Sequence, residues 1–405
     1  MSSIDWKLVS LGKLALINAK SISGKYPYKE IEYIDTSSVT GNEFSPLQKL
    51  ELSEAPSRAK RIVQHGDTII STVRPIQRHF GFIRNPKPNT IASTGFAVIT
   101  PRSVNPEFLY YYLSQDSITN YLNGIAETST TTFPAFRPEV LSELEILIPE
   151  DENIQRRIAD ILSALDDKIE LNRQTNATLE AIAQAIFKEW FVDFNFPGAT
   201  GEMIESELGI IPKGWKVAKL GEILDVKGGT TPSTKVEEYW NGEYSFATPK
   251  DLSSLQSPFL LKTERRITAK GVKQISSGVL PSGILLLSSR APIGYLAISD
   301  IPVSINQGFI AINAKETSNL FILLWLKNNI ETVIGRANGS TFLEISKSNF
   351  REIKLILPDK KMLILFDELI SPFFNQINFN EKQTNLLTSI RDALLPKLMS
   401  GEIYP

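Results

Sequence analysis

The chain repeats itself, and this internal duplication limits the folds open to it more than any other feature of the sequence. Four blocks of the first half recur in the same order about 209 residues later. The matching blocks are 6–14 with 215–223, 66–75 with 283–292, 94–99 with 307–312, and 132–149 with 341–358. Blocks 66–75 and 283–292 each predict an aliphatic strand that ends in Ser or Thr and one Arg. The sequence therefore predicts two tandem copies of one α+β domain.

Each copy is followed by a segment with a heptad pattern, which is typical of a long helix. One heptad position holds Ile158, Leu165, Asn172, Leu179 and Ile186 in the first copy, and Phe366, Phe373, Asn380, Leu387 and Leu394 in the second. The intervening position is predicted at Ile161, Lys168, Thr175, Ile182 and Glu189, and at Leu369, Gln376, Gln383, Ile390 and Lys397. A helix over residues 151–192 would be roughly 60 Å long at 1.5 Å per residue. Such a helix indicates a spacer.

Two helices of similar length with matched heptads are predicted to pair as an antiparallel coiled coil. The alternative is that each helix packs only on its own domain. The fold class is therefore α+β, with two tandem-repeated domains separated by two long helices. The predicted bounds are 1–149 for the first domain, 150–194 for the central spacer helix, 195–213 for a linker, 214–358 for the second domain and 359–405 for the C-terminal spacer helix.

Asn172 and Asn380 share one heptad position, so both are predicted to face the helix interface. A buried Asn in such an interface fixes the register at a cost in stability, because an unpaired amide in an apolar layer is unfavourable. If the two amides pair with each other, replacing both by Leu should raise the melting temperature and loosen the register. The alternative is that both amides face solvent or a partner protein.

Charge is distributed unevenly along the chain. The 43 basic and 45 acidic side chains give a net charge of −2, which excludes a uniformly basic nucleic-acid coat but permits a basic face. Residues 57–102 hold eight basic side chains and one acid, and residues 245–297 hold seven basic side chains and two acids. Residues 150–170 are acidic. A basic region in each copy is typical of a protein that contacts a phosphate backbone at two places, although charge runs are often only solvated faces.

Most catalytic machinery is absent from the sequence. With no cysteine and two histidines, His65 and His79, the chain can form neither a thiol nucleophile nor a three-histidine metal site. There is no phosphate-binding G-x-x-x-x-G-K-[ST] loop and no Pro-Pro dipeptide of the kind found in adenine-flipping methyltransferases. Neither histidine recurs in the second copy. No catalytic residue and no metal ligand is therefore predicted.

The sequence also lacks a membrane or export signal. The first residues carry no apolar segment of signal-peptide length, and the strongly apolar run 321–326 is far shorter than a membrane span. A cytoplasmic protein that does not contact a membrane is expected.

Four stretches of this sequence resemble the specificity (S) subunits of type I restriction-modification systems. They are Gly-Ile-Ile-Pro-Lys-Gly-Trp at 209–215, Gly-Gly-Thr-Thr-Pro-Ser at 228–233, Lys-Glu-Trp-Phe-Val-Asp-Phe at 188–194, and the segment 394–403. The resemblance covers essentially the whole chain, because two variable α+β domains that alternate with two similar helices is the layout of that family. The first copy has a different stretch, 18–24, where the second has the Gly-Gly-Thr-Thr-Pro motif. The two domains are therefore predicted to recognise different sequences.

This resemblance implies a non-catalytic subunit that binds double-stranded DNA. Each domain would recognise one half of a bipartite, asymmetric target, and the paired helices would fix the gap between the halves. The helices would also dock adenine-methyltransferase (modification) subunits and, indirectly, the ATP-dependent restriction subunit. S-adenosylmethionine, ATP and Mg²⁺ would bind only to those partners, so no cofactor is expected in this chain.

Candidate DNA contacts follow from the basic regions. Arg74 and Arg290 each end a matched strand and are the best candidates for base contacts, the alternative being ion pairs within each domain. Phosphate contacts are predicted for Arg58, Lys60, Arg61, Arg78 and Arg84, with Lys262, Arg265, Arg266, Lys270 and Lys273 as their counterparts in the second copy. Thr132 and Thr341 precede matched aromatic residues in polar loops and are candidates to approach DNA or to form turns.

Two other functions remain open at this point. One is a self-contained DNA methyltransferase or nuclease with its own specificity domains, which would modify or cut DNA without partners. The other is a coiled-coil scaffold that binds polyanions regardless of sequence.

Overall fold

The computed structural model describes residues 5–128, 134–290, 292–339 and 343–405. The chain forms two compact units, one made of Met1–Lys168 with Leu386–Pro405 and the other of Ile169–Asn385. The boundary between residues 168 and 169 lies inside the first long helix, and the boundary between 385 and 386 lies inside the second. Each unit therefore contains one α+β domain and a segment of each long helix. Within the described part of the chain, no helix is both long and apolar enough to cross a membrane.

The first domain contains short strands and helices in irregular alternation. Its strands are β1 (Trp6–Ser10), β2 (Ala15–Ile17), β3 (Glu30–Ile34), β4 (Val39–Thr40), β5 (Glu43–Phe44), β6 (Gln48–Glu51), β7 (Ala59–Ile62), β8 (Thr68–Ser71), β9 (Phe80–Phe82), β10 (Thr90–Ser93), β11 (Phe96–Pro101) and β12 (Glu145–Pro149). Its helices are α1 (Leu11–Leu14), α2 (Pro106–Leu113), α3 (Asp116–Glu127) and α4 (Glu139–Glu143), and the long helix α5 (Glu152–Phe191) follows.

The second domain follows a hairpin. Its strands are β13 (Met203–Ser206), β14 (Gly209–Pro212), β15 (Lys216–Lys219), β16 (Leu224–Gly228), β17 (Trp240–Ala247), β18 (Phe259–Leu260), β19 (Arg265–Ile267), β20 (Leu285–Ser289), β21 (Ile293–Ser299), β22 (Val303–Ile305), β23 (Phe309–Ala314) and β24 (Lys354–Leu357). Its helices are α6 (Leu220–Ile223), α7 (Pro249–Ser253), α8 (Ala269–Val272), α9 (Asn319–Asn328), α10 (Ile330–Ile334) and α11 (Lys347–Arg351), and the long helix α12 (Lys360–Met399) follows.

The strand pairing confirms the predicted duplication. In each domain the first strand pairs antiparallel with the last, as β1 with β12 and β15 with β24. An aliphatic strand, β8 or β20, lies at the centre of a sheet between two antiparallel neighbours. A second sheet contains one parallel pair in each domain, β3 with β10 and β17 with β22. Strands β8 and β20 are buried along their whole length, which explains why both read as aliphatic runs.

Both long helices contribute to the core of the unit in which each segment lies. In the first unit, Ile158 and Leu162 of α5 and Leu398 of α12 belong to the same buried cluster as Phe108 of α2. In the second unit, Phe191 of α5 contacts Phe366 of α12, with ring centroids 4.8 Å apart. Pairing of the helices and packing on the domains therefore occur together, although the sequence had presented them as alternatives.

The helices α5 and α12 are 40 residues each and pair antiparallel, as predicted. In the second unit Asn172 contacts Thr384, whereas Asn176, four residues later on α5, contacts Asn380, four residues earlier on α12. In the first unit Asp166 of α5 forms an ion pair with Arg391 of α12 at 2.7 Å.

One heptad position was predicted one residue too early. The predicted position Ile161, Lys168, Thr175, Ile182 and Glu189 is mostly exposed, whereas its successors Leu162, Ile169, Asn176 and Ala183 are buried. The same shift occurs in α12, where Ile370 and Ile377 are fully buried and Leu369 is 40% exposed. The predicted position holds two apolar residues of five in each helix, whereas the following position holds four in α5 and three in α12, so the sequence itself favours the following position.

Candidate nucleic-acid interface

Folding places carboxylates from other parts of the chain against the basic region of the first domain. Arg84 donates hydrogen bonds to Glu107 at 3.1 Å and to Asp167 at 2.6 Å. Arg78 forms an ion pair with Asp116. Neither Asp116 nor Asp167 lies within 57–102, so the excess of positive charge in that region is smaller in the structure than in the sequence. Arg78 and Arg84 are thereby less available to phosphates than predicted.

The edge strand β7 carries the more accessible basic residues of this domain. Arg58 precedes the strand, and its Nη2 lies 4.0 Å from Asp35 Oδ1. Arg61 donates to Ser21 Oγ at 3.2 Å. Lys60 is exposed, and within the described residues its side chain has neither an ion pair nor a hydrogen bond. Of the predicted phosphate contacts in the first domain, Lys60 is therefore the least constrained.

The basic side chains of the second domain are also partly neutralised. Lys270 forms an ion pair with Glu238 at 2.6 Å, and Arg266 donates to the carbonyl oxygen of Glu243. In the part of the chain that the structure describes, Lys262 and Lys273 are exposed and make no side-chain pair. Arg265 differs from the other four, because its guanidinium lies over an aromatic ring, that of Trp240.

The members of the two basic sets that lie at sheet edges are not counterparts in the fold, so the predicted correspondence is wrong for those residues. In the first domain Arg58, Lys60 and Arg61 lie at β7, which pairs with β10. In the second domain Arg265 and Arg266 lie on β19. This strand pairs with β17, the equivalent of β3, so it lies at the edge of the sheet opposite to the edge that β7 occupies in the first domain. These residues at β7 and on β19 therefore lie at opposite edges of equivalent sheets. Two segments of sequence with similar net charge therefore place their basic side chains at different positions in the two domains.

Arg74 and Arg290 are likewise not equivalent. Phe136 N donates to Thr72 O in the first domain and Ile345 N donates to Ser289 O in the second, each at 3.0 Å. This pairing aligns Thr72 with Ser289, and hence Val73 with Arg290. The backbones of Arg290 and Glu344 form an isolated antiparallel β-bridge, and their side chains form an ion pair with Arg290 Nη1 3.9 Å from Glu344 Oε2.

Arg74 lies at a sharp turn. Its φ is +47°, in the left-handed region that few residues other than glycine adopt. Its side chain is exposed, and its backbone N–H donates to Pro134 O at 2.8 Å. Thr132 and Thr341 lie outside the residues that the structure describes.

A buried polar layer lies between α5 and α12 in the second unit. Asn172 and Asn380 are 1% and 3% exposed, and both face the interface. Their side chains do not pair with each other. Asn172 Nδ2 donates to Gln383 Oε1 at 3.0 Å and to Thr384 Oγ1 at 3.3 Å, whereas Asn380 Nδ2 donates to Asn176 Oδ1 at 2.9 Å. Asn176 was not predicted, because its heptad position was assigned one residue too early.

This layer changes the expected result of removing the asparagines. Replacing only Asn380 by Leu leaves the Asn176 amide buried without its partner, which should lower the free energy of unfolding by about 1–3 kcal/mol. Replacing Asn172, Asn176, Asn380 and Thr384 together by apolar residues should cost less than that or stabilise the pair. Urea denaturation of the two variants checks this, and equal losses in both would contradict it. The increase in melting temperature predicted for the Asn172 and Asn380 double variant is no longer expected.

The two histidines make local contacts. His79 Nδ1 lies 2.7 Å from the carbonyl oxygen of Val39, and the backbone N–H of Asn85 donates to His65 Nδ1 at 3.3 Å. Among the described residues, no group of three or more His, Asp or Glu side chains is arranged to hold a metal ion.

Comparison with known proteins identifies the family. The model of the type I restriction modification DNA specificity domain matches residues 3–181 and 212–389, once in each half. The type I restriction enzyme HindI specificity subunit of Haemophilus influenzae is 28% identical, over 98% of this chain and 100% of its own. The MjaIX specificity subunit of Methanocaldococcus jannaschii is 38% identical, over 98% of this chain and 94% of its own. A solved S subunit from M. genitalium, 17% identical, has a similar fold, with a TM-score of 0.60 over 98% of this chain and 97% of that chain. The chain therefore belongs to the family of type I restriction-modification DNA specificity subunits.

Proposed function

We propose that this chain recognises a bipartite, asymmetric target in double-stranded DNA, with one half bound by each α+β domain. The observation that carries the proposal is a duplicated fold in which basic residues at β7 of one copy and on β19 of the other lie on opposite edges of equivalent sheets. Two copies of one fold support two half-sites, and different surfaces support different sequences in them. The chain itself is not an enzyme. Residues 1–149 and 214–358 remain the proposed bounds of the two recognition domains.

The long helices are the proposed docking site for two kinds of partner, the adenine-methyltransferase subunits and, through them, an ATP-dependent restriction subunit. The support is a set of exposed apolar residues at matched positions of both helices. The pairs are Ile161 and Leu369, Leu171 and Phe379, and Ile182 and Ile390, all at least 36% exposed. Exposed apolar surface at matched positions is typical of a protein interface. S-adenosylmethionine, ATP and Mg²⁺ would be bound by those partners.

The proposed function is tested by mapping methylated adenines in cells with and without the gene. One bipartite methylation motif should disappear when the gene is deleted and return when it is supplied on a plasmid. An unchanged set of motifs would contradict the proposal. Methylation or cleavage of DNA by the purified chain alone would instead support a self-contained enzyme, an alternative that the relatives do not favour.

Lys60 and Arg84 should respond differently to truncation, although both were predicted to contact phosphates. Lys60→Ala should reduce the slope of log K against log salt by about 0.9 for DNA binding by the assembled complex, the value for one lost phosphate contact. Arg84→Ala should leave that slope unchanged and lower the melting temperature, because it removes the ion pairs with Glu107 and Asp167. Salt titrations of DNA binding measure the slope for both variants. An equal change of slope in Arg84→Ala and Lys60→Ala would contradict this prediction.

A further inference from the structure

In the second domain a cation and an aromatic ring are held in a fixed geometry. The guanidinium carbon of Arg265 lies 3.7 Å from the ring centroid of Trp240. The indole is itself immobilised, because its Nε1–H donates to the carbonyl oxygen of Ser233 at 3.1 Å and it packs edge-to-face with Phe246, with ring centroids 5.5 Å apart. The plane of the Arg265 guanidinium is therefore set before any ligand binds.

Arg265 has no carboxylate partner, in contrast to the lysines nearby. Lys250 is paired with Glu264 at 2.8 Å and Lys270 with Glu238 at 2.6 Å. Considering only the described residues, no carboxylate oxygen lies within 4 Å of the Arg265 guanidinium. Stacking on the indole covers one face of the guanidinium but not its N–H donors, which lie in its plane. The planar donors of the partly exposed Arg265 are thus left without an acceptor among the residues that the structure describes.

The Gly-Gly-Thr-Thr-Pro-Ser loop, residues 228–233, supports this arrangement. A Cβ on Gly229 would lie 1.9 Å from the carbonyl oxygen of Ile305, so only glycine allows the loop to approach that strand. Thr230 Oγ1 donates to Gln274 O at 2.9 Å. The loop ends at Ser233, whose carbonyl oxygen holds the Trp240 indole.

The first domain lacks this motif and has a different contact at the corresponding stretch. There Ser21 accepts a hydrogen bond from Arg61. The stacked Trp–Arg pair is consequently a property of the second domain among the described residues.

We propose that Arg265 is a base-contacting residue of the second domain and recognises a guanine through two parallel hydrogen bonds to O6 and N7 in the major groove, with Trp240 and loop 228–233 as positioning elements. The proposal rests on the proposed function and replaces the phosphate contact predicted for Arg265. A planar guanidinium matches the two acceptors of guanine, and lysine does not offer the same geometry. Fixing the plane in advance lowers the entropy cost of forming both bonds.

Arg265→Lys is the decisive variant, because it retains the charge and removes the planar donors. The readout is the methylation motif produced by the complete complex, measured over all sequences of each half-site. We expect one G·C pair of a single half-site to become degenerate, with a loss of about 5- to 150-fold in discrimination at that position. The other half-site should be unchanged. Trp240→Phe, which removes the hydrogen bond to Ser233, should relax the same position less strongly. Arg336→Lys, at an exposed arginine of the same domain outside this site, is the matched control.

Two outcomes would overturn the inference. One is an unchanged motif in Arg265→Lys, with normal melting temperature and normal methylation. The other is a uniform loss of binding to all sequences in Arg265→Ala with a salt slope lower by about 0.9, which would make Arg265 a phosphate contact. In either case the wild-type chain would still determine a bipartite motif, so the proposed function would stand. Absence of any motif that depends on the wild-type chain would refute the proposed function instead.

Discussion

Lengthening both long helices by one heptad is expected to widen the gap between the two halves of the methylated target by about three base pairs. Seven helical residues add about 10 Å, and one base step is about 3.4 Å. The insertion should duplicate residues 162–168 of α5 and the facing residues 388–394 of α12, so that both copies keep the Asp166–Arg391 ion pair. A heptad returns side chains to nearly the same face of the helix, and both half-sites should therefore keep their sequences.

The matched control is the same insertion in α5 alone. It would place residues of α5 opposite the wrong residues of α12 and should abolish stable assembly rather than widen the gap. Sequencing of methylated adenines measures both variants. A double insertion that folds and methylates DNA with the original gap would show that the helices do not set the spacing.

Exchanging residues 1–149 for those of a related specificity subunit should change one half of the target completely and leave the other half intact. The physical reason is that the first domain has its own sheets and buried clusters, so its basic edge at β7 is folded independently of β19 in the second domain. The methylation motif of cells that carry the chimera gives the result directly.

The reciprocal exchange of residues 214–358 is the control, since it should change only the other half. A chimera whose two half-sites both change, or neither, would contradict independent recognition by the two domains. In the exchange of residues 1–149 the donor domain should carry an arginine at the position of Arg84, because the ion pair of Arg84 with Asp167 joins the first domain to α5 within the first unit.

The duplicated fold could be predicted from the sequence because each repeated block carries its own local signal. Buried strands such as β8 and β20 are aliphatic along their length, and 40-residue helices leave many heptads to count. The error of one residue at Ile161 arose because Leu162 beside it is equally apolar. The later heptads distinguish the two positions, because Lys168 is followed by the buried Ile169 and Glu189 by the buried Trp190.

The candidate site was less predictable, because it depends on contacts between residues far apart in sequence. Arg84 and Asp167 are 83 residues apart, so a window of charge cannot reveal their pairing. The alignment of Arg74 with Arg290 failed by one residue at the end of a strand, where backbone pairing and not composition sets the register. Trp240 and Arg265 meet because β17 and β19 pair. No periodic signal marks such a contact.

The polar layer between the long helices is the arrangement expected from duplication and fusion of a gene for a half-length protein. Asn172 and Thr384 make one contact across the interface, and Asn380 and Asn176 make the other. Because α12 repeats α5 with an offset of 208 residues, Asn172 corresponds to Asn380 and Asn176 to Thr384, so the two contacts are one contact made twice. An isologous homodimer of a half-length protein has this property. Such an ancestor would have bound a palindrome, and fusion of two gene copies would have freed each half to acquire its own sequence preference.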